Sequence, residues 1–304
     1  MSAPVHRASH QIARPFADVH TANGDAHAAN GVIPDRVRSR PLETAGGWQP
    51  PTVSLIVPTL NEVKNLPHVL LAIPAVVTEL LIIDGGSTDG TVALAQKLRP
   101  DALVLVDPRP GKGRALRTGF EHSTGDIIIT IDADGSMDPA EIIAFVGALM
   151  AGADVAKGTR FIQGAGTDDM GPLRRVGNHG LRLAVRAAFG GRYSDLCYGY
   201  MGFWRRVLPV FEGNADGFEI ETFLSVRSLA AGLRISEVSS FEHRRIHGVS
   251  NLRTFRDGWR VLHTIILERI ALARRRTGRG VSHPAALRDD NVDDRSAADL
   301  SALS

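Results

Sequence analysis

The sequence predicts an α/β fold, a mostly parallel sheet that carries helices on both faces. Short apolar runs typical of strands alternate with helical segments between residues 53 and 158. Two of these runs, 79–84 and 127–131, consist mainly of leucine and isoleucine, as expected of strands that are covered on both faces. In such a sheet the carboxyl ends of the strands lie along one edge, and ligands bind there.

The composition allows one large domain and excludes several classes of protein. The chain has 304 residues, 43% of them hydrophobic, and its formal net charge of +2 does not indicate a nucleic-acid partner. The single cysteine, Cys197, excludes an internal disulfide framework and a multi-cysteine zinc site. The sequence shows neither a secretory signal nor a run of about 20 apolar residues. We therefore expect a cytoplasmic protein, either soluble or peripheral at the inner face of the membrane.

Six short apolar runs are predicted as strands. Turn residues such as Pro58 and Gly85 end the first two of them, because proline and glycine interrupt extended segments. We expect strands at 53–58, 79–84, 103–106, 127–131, 154–158 and 233–238.

Capping residues mark where the helices begin. Asp138, Pro139 and Glu141 have the spacing of a capping box, and Pro67 suits the first turn of another helix. Residues 111–114 are predicted as a glycine-rich loop. We expect helices at 65–73, 92–98, 115–123, 139–151, 181–189, 222–231 and 255–273.

Polar side chains follow three of the predicted strands where each strand ends. Asn61 and Glu62 follow the first, Asp84 ends the second, and Asp132 and Asp134 follow the fourth. Carboxylates at the lip of a buried strand are costly to desolvate unless they are paired or bind a cation. Their oxygens suit Mg²⁺ or Mn²⁺, which bind through carboxylates and substrate phosphates. The Asp-x-Asp pair alone is also compatible with a simple strand cap, but the three strand ends together favour a metal–diphosphate site.

These motifs resemble the family 2 glycosyltransferases of GT-A fold, in order and spacing over about 53–160. Two later motifs resemble the branch that transfers sugars to dolichyl or polyprenyl phosphate. The motifs that carry the resemblance are Pro58–Glu62, Ile83–Thr91, Gly111–Gly113, Asp132–Asp134 with Asp138-Pro139, Lys157–Arg160 and Arg245–Leu252.

The resemblance and the composition together define the expected domains. A GT-A, Rossmann-like catalytic domain would span 51–253 and be followed by an amphipathic helix at 254–278. Low periodicity and polar composition predict disordered tails at 1–50 and 279–304.

The resemblance implies an inverting, metal-dependent glycosyltransferase. It would move a sugar from GDP-mannose or a UDP-sugar to a polyprenyl or dolichyl phosphate. Transfer to a hydroxyl of a polysaccharide or small molecule is an alternative, and a non-catalytic nucleotide-sugar-binding subunit is another. A nucleotidyltransferase would need a basic, glycine-rich loop after the first strand, where this chain has the polar and acidic segment 59–63.

On the donor side, the resemblance implies specific roles. Pro58, Asn61 and Glu62 would hold the nucleotide, and Asp84 would bind its base. Asp132 would approach the ribose or sugar. Asp134, with Asp132, would hold the metal. Further substrate-binding candidates within the matching motifs are Lys112, Ala133 and Ser250.

On the acceptor side, the resemblance implies that Arg160, Arg175 (or its neighbour Arg174) and Arg245 surround phosphates, which suit the planar guanidinium. A phosphate acceptor is already anionic, whereas a hydroxyl acceptor needs a carboxylate to take its proton. Asp195 is the candidate base, with Glu219 second. The predicted catalytic residues are Asp195, Asp132 and Arg245.

Two features depart from the family pattern. Two glycines follow Asp84 where many relatives have a second aspartate, which leaves the donor nucleotide open. The prenyl-phosphate branch often has C-terminal membrane spans, whereas here 255–276 is a helix with an apolar stripe and an arginine tip. That helix could lie on a membrane surface or pack on the domain or a second copy in a homo-oligomer, and we favour packing.

Overall fold

The computed structural model describes residues 49–109, 111–248 and 254–277, and its centre is a seven-stranded sheet. The predicted tails at 1–50 and 279–304 lie outside these residues, except for Gln49 and Pro50. The strands are β1 (Val53–Thr59), β2 (Glu79–Asp84), β3 (Leu103–Val106), β4 (Ile127–Thr130), β5 (Val155–Thr159), β6 (Gly166–Thr167), β7 (Met201–Trp204), β8 (Ile235–Ser239) and β9 (Phe241–Glu242).

The order of strands brings the predicted polar turns to one edge. The sheet runs β3-β2-β1-β4-β7-β5-β8, and β6 pairs with β9 separately. Strands β3, β2, β1 and β4 are parallel, and Thr59 lies opposite Asp84 at their carboxyl ends. Strand β7 is antiparallel to β4 and β5, and β5 pairs in parallel with β8. The predicted mostly parallel sheet is confirmed. Strands β6 and β9 are too short for hydrophobic periodicity to predict, and β7 lies in a stretch of glycines and aromatic residues that shows no strand pattern.

The helices are α1 (Leu66–Leu70), α2 (Thr91–Leu98), α3 (Lys112–His122), α4 (Ile142–Met150), α5 (Pro172–Phe189), α6 (Ile220–Ala230) and α7 (Thr254–Thr277). Two short 3₁₀ helices, Pro139–Glu141 and Arg205–Phe211, complete the set for the described residues. Within those same residues, no helix combines the length and apolarity that a bilayer crossing requires.

The sheet has helices on both faces because its strands bury alternate residues on opposite sides. In β1, Leu55 and Val57 belong to a core with α1 and α4, whereas Ile56 belongs to a core with α3 and α6. A third apolar cluster joins α5, α6 and α7 through residues such as Val185 and Val261. This third cluster lies beside the sheet core, and it forms the wall that faces the sheet edge.

Two predicted helix boundaries are wrong. Helix α3 begins at Lys112, so the expected loop at 111–114 is the start of a helix. Helix α5 begins at Pro172 rather than residue 181, with proline in its first turn.

The predicted capping box is only half present. The Asp138 side chain accepts a hydrogen bond from Ala140 N (2.9 Å), as a helix cap does. Glu141 does not complete the box, because its Oε1 accepts from Phe241 N (2.9 Å) and its Oε2 accepts from the hydroxyl of Ser240. Glu141 therefore ties this turn to the end of β8 and the start of β9.

Candidate active site

The turn after β4 carries two aspartates at the sheet edge. Asp134 is buried; its Oδ1 accepts from Ser136 N (2.9 Å) and its Oδ2 lies 2.7 Å from Arg245 Nη2. Gly135 has φ +75°, and a Cβ there would lie 2.7 Å from Ile246 Cδ1. The turn therefore requires glycine, and the segment around Ile246 packs directly on it.

Asp132 is held by the first residue of α3. Lys112 Nζ lies 2.5 Å from Asp132 Oδ1 and 2.7 Å from Glu221 Oε1 in the first turn of α6. Burial alone would lower the pKa of Lys112, but the two carboxylates raise it above its ordinary value. Burial raises the pKa of Asp132, and Lys112 opposes that shift. Gly199 leaves the space for this cluster, since a Cβ there would lie 2.6 Å from Lys112 Nζ.

The two glycines around Lys112 place it in this cluster. A Cβ on Gly111 would lie 2.0 Å from the backbone oxygen of Asp216, and one on Gly113 would lie 2.0 Å from that of Ala215. Gly111 also has φ +124°, which L side chains rarely adopt. The Gly-Lys-Gly motif thus presses the start of α3 against the chain that precedes α6.

Arg245 joins the ends of β1 and β4. Its Nη1 lies 3.4 Å from Glu62 Oε1, in addition to the contact with Asp134. Asn65 holds the backbone two residues after Arg245, because its Nδ2 donates to His247 O (3.1 Å) and its Oδ1 accepts from His247 N (2.9 Å). Burial raises the pKa of Glu62, and Arg245 opposes the shift. The structure therefore brings together three predicted site residues from distant segments.

Arg160, at the end of β5, is buried in a network of its own. Its Nε and Nη2 lie 2.6 and 3.0 Å from the two carboxylate oxygens of Asp195. Its Nη1 lies 3.0 Å from both oxygens of Glu242, and its guanidinium lies 4.7 Å from the Tyr198 ring centroid. Burial alone would lower the pKa of Arg160, but the two carboxylates raise it.

Asp195, the predicted base, is enclosed by its partners. Asp195 is 0% exposed, and both of its oxygens are occupied by Arg160, with a further hydrogen bond from Asn178 Nδ2 to Oδ1 (3.1 Å). It does not line the cavity described next. In this arrangement its contacts fix the position of Arg160, and its role as a base stays a prediction.

A cavity of about 180 Å³ lies between the sheet edge and helices α5, α6 and α7. Its apolar lining includes Leu181 and Val261. The predicted residues that line it are Lys112, Asp132, Asp134, Arg160 and Arg245. The candidates on the metal side and on the phosphate side therefore share one space.

The arginine of α5 that faces this cavity is Arg174. Arg175 is exposed, because neighbouring residues of a helix point in different directions. Arg174 Nη1 lies 3.5 Å from Asp169 Oδ2, a looser pair than those of Arg160 or Arg245. Of the two neighbouring arginines that the sequence left open, Arg174 lines the cavity and Arg175 does not.

The charges of the cavity fit a divalent cation. Among the described residues that line it are six carboxylates and four lysines or arginines, an excess of two negative charges. Asp134 and Asp132 offer the oxygen ligands that Mg²⁺ or Mn²⁺ prefers. Across the described part of the chain, no three His, Cys, Asp or Glu side chains form a metal-binding group. The two aspartates would thus supply part of a coordination sphere, and ligand phosphates the rest.

Asp84 has a structural role at the end of β2. It is fully buried, and its oxygens accept from Thr59 Oγ1 (3.0 Å), Gly86 N (3.0 Å), Ser87 N (2.7 Å) and Ser87 Oγ (2.6 Å). These four bonds use both carboxylate oxygens and build the turn. The hydrogen bond expected between Asp84 and a nucleotide base stays a prediction.

The other candidates of the first turns lie outside the cavity lining. Asn61 is exposed with φ 56°, and its Oδ1 accepts from Thr88 N (2.9 Å), which joins the first two turns. Pro58 lies in β1, opposite Ile83 of β2, and Ala133 is buried. Their roles in donor binding stay predictions. Ser250 lies outside the described residues.

Sequence reasoning misses Glu221, Asn178 and Glu242. Glu221 was detectable, because Glu219 and Glu221 both precede the predicted helix, and the second of them lines the cavity. Asn178 lies one helical turn after Arg174, a spacing that the late predicted start of α5 concealed. Glu242 lies in a two-residue strand that leaves no periodic signal.

Comparisons with known proteins agree with this architecture. The sequence model described as Glycosyl transferase family 2 matches residues 54–211. The chain is 32% identical over 217 residues to glycosyltransferase AglJ of Haloferax volcanii, covering 69% of each chain. It is 32% identical over 237 residues to polyprenol monophosphomannose synthase of Mycolicibacterium smegmatis, covering 69% of this chain and 86% of that one. It spans 48% of an uncharacterized mycobacterial glycosyltransferase, at 44% identity.

Solved structures show the same fold. One is glucosyl-3-phosphoglycerate synthase from Mycobacterium tuberculosis in complex with Mn²⁺, UDP and glucosyl-3-phosphoglycerate. It has a TM-score of 0.58 and 25% identity, and the match covers 73% of this chain and 80% of that one. Another structure of that enzyme holds Mg²⁺ and UDP, with a TM-score of 0.58, 25% identity and coverage of 74% and 85%. The predicted fold class is thereby confirmed.

Proposed function

Because the chain belongs to glycosyl transferase family 2 and has the GT-A fold, we propose that it transfers a hexose from a nucleotide-diphosphate sugar to a polyprenyl phosphate. It is a glycosyltransferase, and the proposal concerns its donor, acceptor and metal. The donor would be GDP-mannose or a UDP-sugar. Similarity to polyprenol monophosphomannose synthase over 86% of that protein supports the lipid phosphate.

The sheet edge is suited to hold the donor. Asp134 and Asp132 would bind the Mg²⁺ or Mn²⁺, which would neutralise the charge of the diphosphate when bound. Mn²⁺ with UDP in the related synthase structure supports this assignment. Lys112 fixes Asp132 and Glu221 in one cluster, so it orients two carboxylates toward the donor sugar.

One observation favours a phosphate acceptor over a hydroxyl. Each of the six carboxylates that line the cavity lies within 4.0 Å of a lysine or arginine nitrogen. An ion pair stabilises the charged form of a carboxylate and so opposes its action as a base, as Lys112 does against the burial that raises the pKa of Asp132. A phosphate monoester needs no deprotonation, so the lining suits an acceptor that arrives ionised.

The proposed reaction is a single displacement at the anomeric carbon. An acceptor phosphate oxygen forms the new bond to C1 while the bond from C1 to the donor diphosphate breaks, which inverts the configuration. The electron pair of the broken bond goes to the nucleoside diphosphate. Arg245 can stabilise the departing charge, and Arg174 can hold the incoming phosphate.

A hydroxyl acceptor that carries a phosphate is the second candidate. The related synthase is described with phosphoglyceric acid bound, and the same arginines would suit such a compound. This reaction needs a base, and Glu219 Oε2 is buried without a hydrogen-bond partner in the described part of the chain. Glu219 lies two residues before the cavity-lining Glu221 but is not itself part of the lining, so for that reaction it stays the second candidate base beside Asp195.

The test is a set of matched acceptors. The purified protein with Mn²⁺ would be given GDP-mannose or UDP-glucose together with a polyprenyl phosphate, the matching polyprenol or phosphoglyceric acid, and products would be identified by mass spectrometry. We expect a hexosyl phosphoryl polyprenol, and no product with the polyprenol. Transfer to the polyprenol or phosphoglyceric acid alone, or nucleoside diphosphate release without transfer, would contradict the proposal.

A further inference from the structure

The apolar stripe of α7 faces away from the domain. The sequence favours packing of this stripe on the domain or on a second copy, and on the domain it does not pack, because Phe255 is 82% exposed and Trp259 is 69% exposed. The side of α7 that contacts α5 and α6 instead carries Val261 and Ile265, which are buried. The helix therefore has two apolar sides, and the outer one continues with Ile266, Leu267 and Ile270, all exposed.

Helix α5, which packs against α7, also leaves apolar side chains exposed. Its inner side carries Asn178 and Val185, which are buried. Its outer side carries Leu173, Val176 and Leu183, whose spacing of three and seven residues lies along one face of a helix. Two neighbouring helices thus expose apolar stripes, and an exposed patch of this kind marks an interaction surface.

The exposed charges that the two helices themselves carry are positive, whereas Asp168 and Asp169 lie exposed just before α5. Helix α5 contains four arginines and no acidic residue. In α7 the two acidic residues are turned inward: Asp257 is buried and Glu268 lies 2.9 Å from Arg227 Nε of α6. The exposed charged residues of the two helices include Arg175, Arg186, Arg256, Arg260 and Arg269.

The positive charge of α5 and α7 favours an anionic bilayer over a second copy of the chain as the partner of this surface. A second copy docked through the same stripes would bring arginine-rich surfaces together, which like charges oppose. An anionic bilayer attracts them, by about 1 kcal/mol per basic residue near its surface. Tryptophan and phenylalanine are also the side chains that favour the region between lipid headgroups and acyl chains.

We propose that α5 and α7 form a docking surface for an anionic lipid bilayer, with their apolar stripes in the interfacial layer and their arginines at the headgroups. Both helices also line the cavity, α5 with Arg174 and α7 with Gly258 and Val261. Docking therefore places the cavity beside the lipid surface. Vesicle binding requires no sugar transfer, so this proposal succeeds or fails independently of the proposed reaction.

Vesicle flotation of the full chain tests the docking surface. We expect binding to phosphatidylcholine vesicles that contain phosphatidylglycerol, weak binding to phosphatidylcholine alone, and a decrease as salt is raised. The double variant Phe255→Asp and Trp259→Asp should lose at least about tenfold in affinity, because two aromatic side chains no longer enter the bilayer. Ile143→Asp is the matched control, since Ile143 is exposed on α4, away from both helices.

Two measurements keep the outcomes separate. Circular dichroism should be unchanged in both variants because the substituted side chains are exposed, and Trp259→Phe should retain vesicle binding. Equal binding of the double variant and wild type, or equal binding to neutral and anionic vesicles, would overturn the proposal. A dimer in light scattering that the double variant abolishes, without vesicle binding by the wild type, would also overturn it and assign the surface to a second copy.

Discussion

The cavity has one wall at the carboxyl edge of the parallel strands and another on helices α5, α6 and α7. The first wall takes Asp132 and Asp134 from a turn that directly follows a strand. The second takes Arg174, Glu221 and Val261 from the faces of three helices. The end of a parallel strand fixes the sheet edge at which its turn lies. Which residues of a helix face a site depends instead on how the helix is rotated when it packs.

The two walls are joined by ion pairs rather than by apolar contact alone. Lys112 links Asp132 on the first wall to Glu221 on the second. Arg160, at the end of β5, pairs with Asp195, which also accepts a hydrogen bond from Asn178 of α5. Charged side chains therefore bridge the two walls. Substitutions at Lys112, Asp134 and Arg174 test how the two walls are held together and what each wall binds. Asp107, away from both walls, gives a comparison, and the four are taken from the largest expected effect to the smallest.

Lys112→Ala should destabilise the protein most, because it leaves two partly buried carboxylates facing each other without a cation. We expect the free energy of unfolding to fall by about 3–5 kcal/mol, as when one partner of a buried ion pair is removed. Urea unfolding followed by circular dichroism measures this. Lys97→Ala, at an exposed position of α2, is the control and should change the value by less than about 0.5 kcal/mol.

Adding Glu221→Gln to Lys112→Ala should recover part of the loss, since one unpaired charge is removed. If Lys112→Ala costs no more than Lys97→Ala, the ion-pair cluster does not connect the two walls.

Asp134→Ala should reduce transfer by about a hundredfold or more, because it removes a proposed metal ligand and the partner of Arg245. The measurement is kcat/KM as a function of Mn²⁺ concentration. Asp138→Asn is the matched control, because Asp138 is exposed and asparagine preserves the cap on Ala140 N. An unchanged metal requirement in Asp134→Ala would show that the first wall does not hold the cation.

Arg174→Ala should raise the KM for the phosphate acceptor by about 10- to 100-fold, as expected for a lost hydrogen bond between charged groups. Its neighbour Arg175 is exposed, so Arg175→Ala should change KM by less than about twofold. Steady-state kinetics and separate donor-binding titrations distinguish acceptor from donor effects. Equal effects of the two substitutions would contradict the assignment of Arg174 to the cavity.

Asp107 follows β3 at the far edge of the sheet. Replacing it should have the smallest effect, a change in stability that fades at low pH. The Arg109 guanidinium beside it lowers the pKa of its carboxyl to about 2, from an ordinary value of 3.8. Because the folded pKa is the lower one, this carboxylate stabilises the fold above about pH 4 and loses that contribution as the pH falls toward 2.

The test for Asp107 is thermal unfolding of wild type and Asp107→Asn across that pH range. We expect the difference between their unfolding temperatures to shrink as the pH decreases. A constant difference would show that the ion pair with Arg109 does not contribute to acid stability.

The residues of the first wall were largely predictable from the sequence, but the contacts of a carboxylate at a strand end were not. The apolar run before Asp132 and Asp134 predicts both the buried strand and the position of the carboxylates. The same reasoning applied to Asp84 predicts a ligand contact, yet its oxygens are used by Thr59, Gly86 and Ser87. A carboxylate at a strand end thus has two uses, and only its hydrogen-bond partners distinguish them.

The second wall was predictable in composition but not in orientation. The arginines of α5 and the stripe of α7 are visible in the sequence, but Arg175 and Phe255 both point away from the domain. Asp195 was assigned to the acceptor because of its position in the chain, although it is enclosed by Arg160 and Asn178. In each case the open question was which side of an element faces the interior.

Local sequence patterns were enough to predict the parallel strands, the turns that end them and the two aspartates at the edge of the sheet. Apolar runs and turn residues are local, so a window of a few residues contains the information. Long-range packing, by contrast, brings Arg174 and Glu221 into the cavity, sets Asp195 against Arg160 and exposes the aromatic stripe of α7. Those outcomes depend on the rotation of helices against distant segments and on ion pairs across the fold, which no local pattern records.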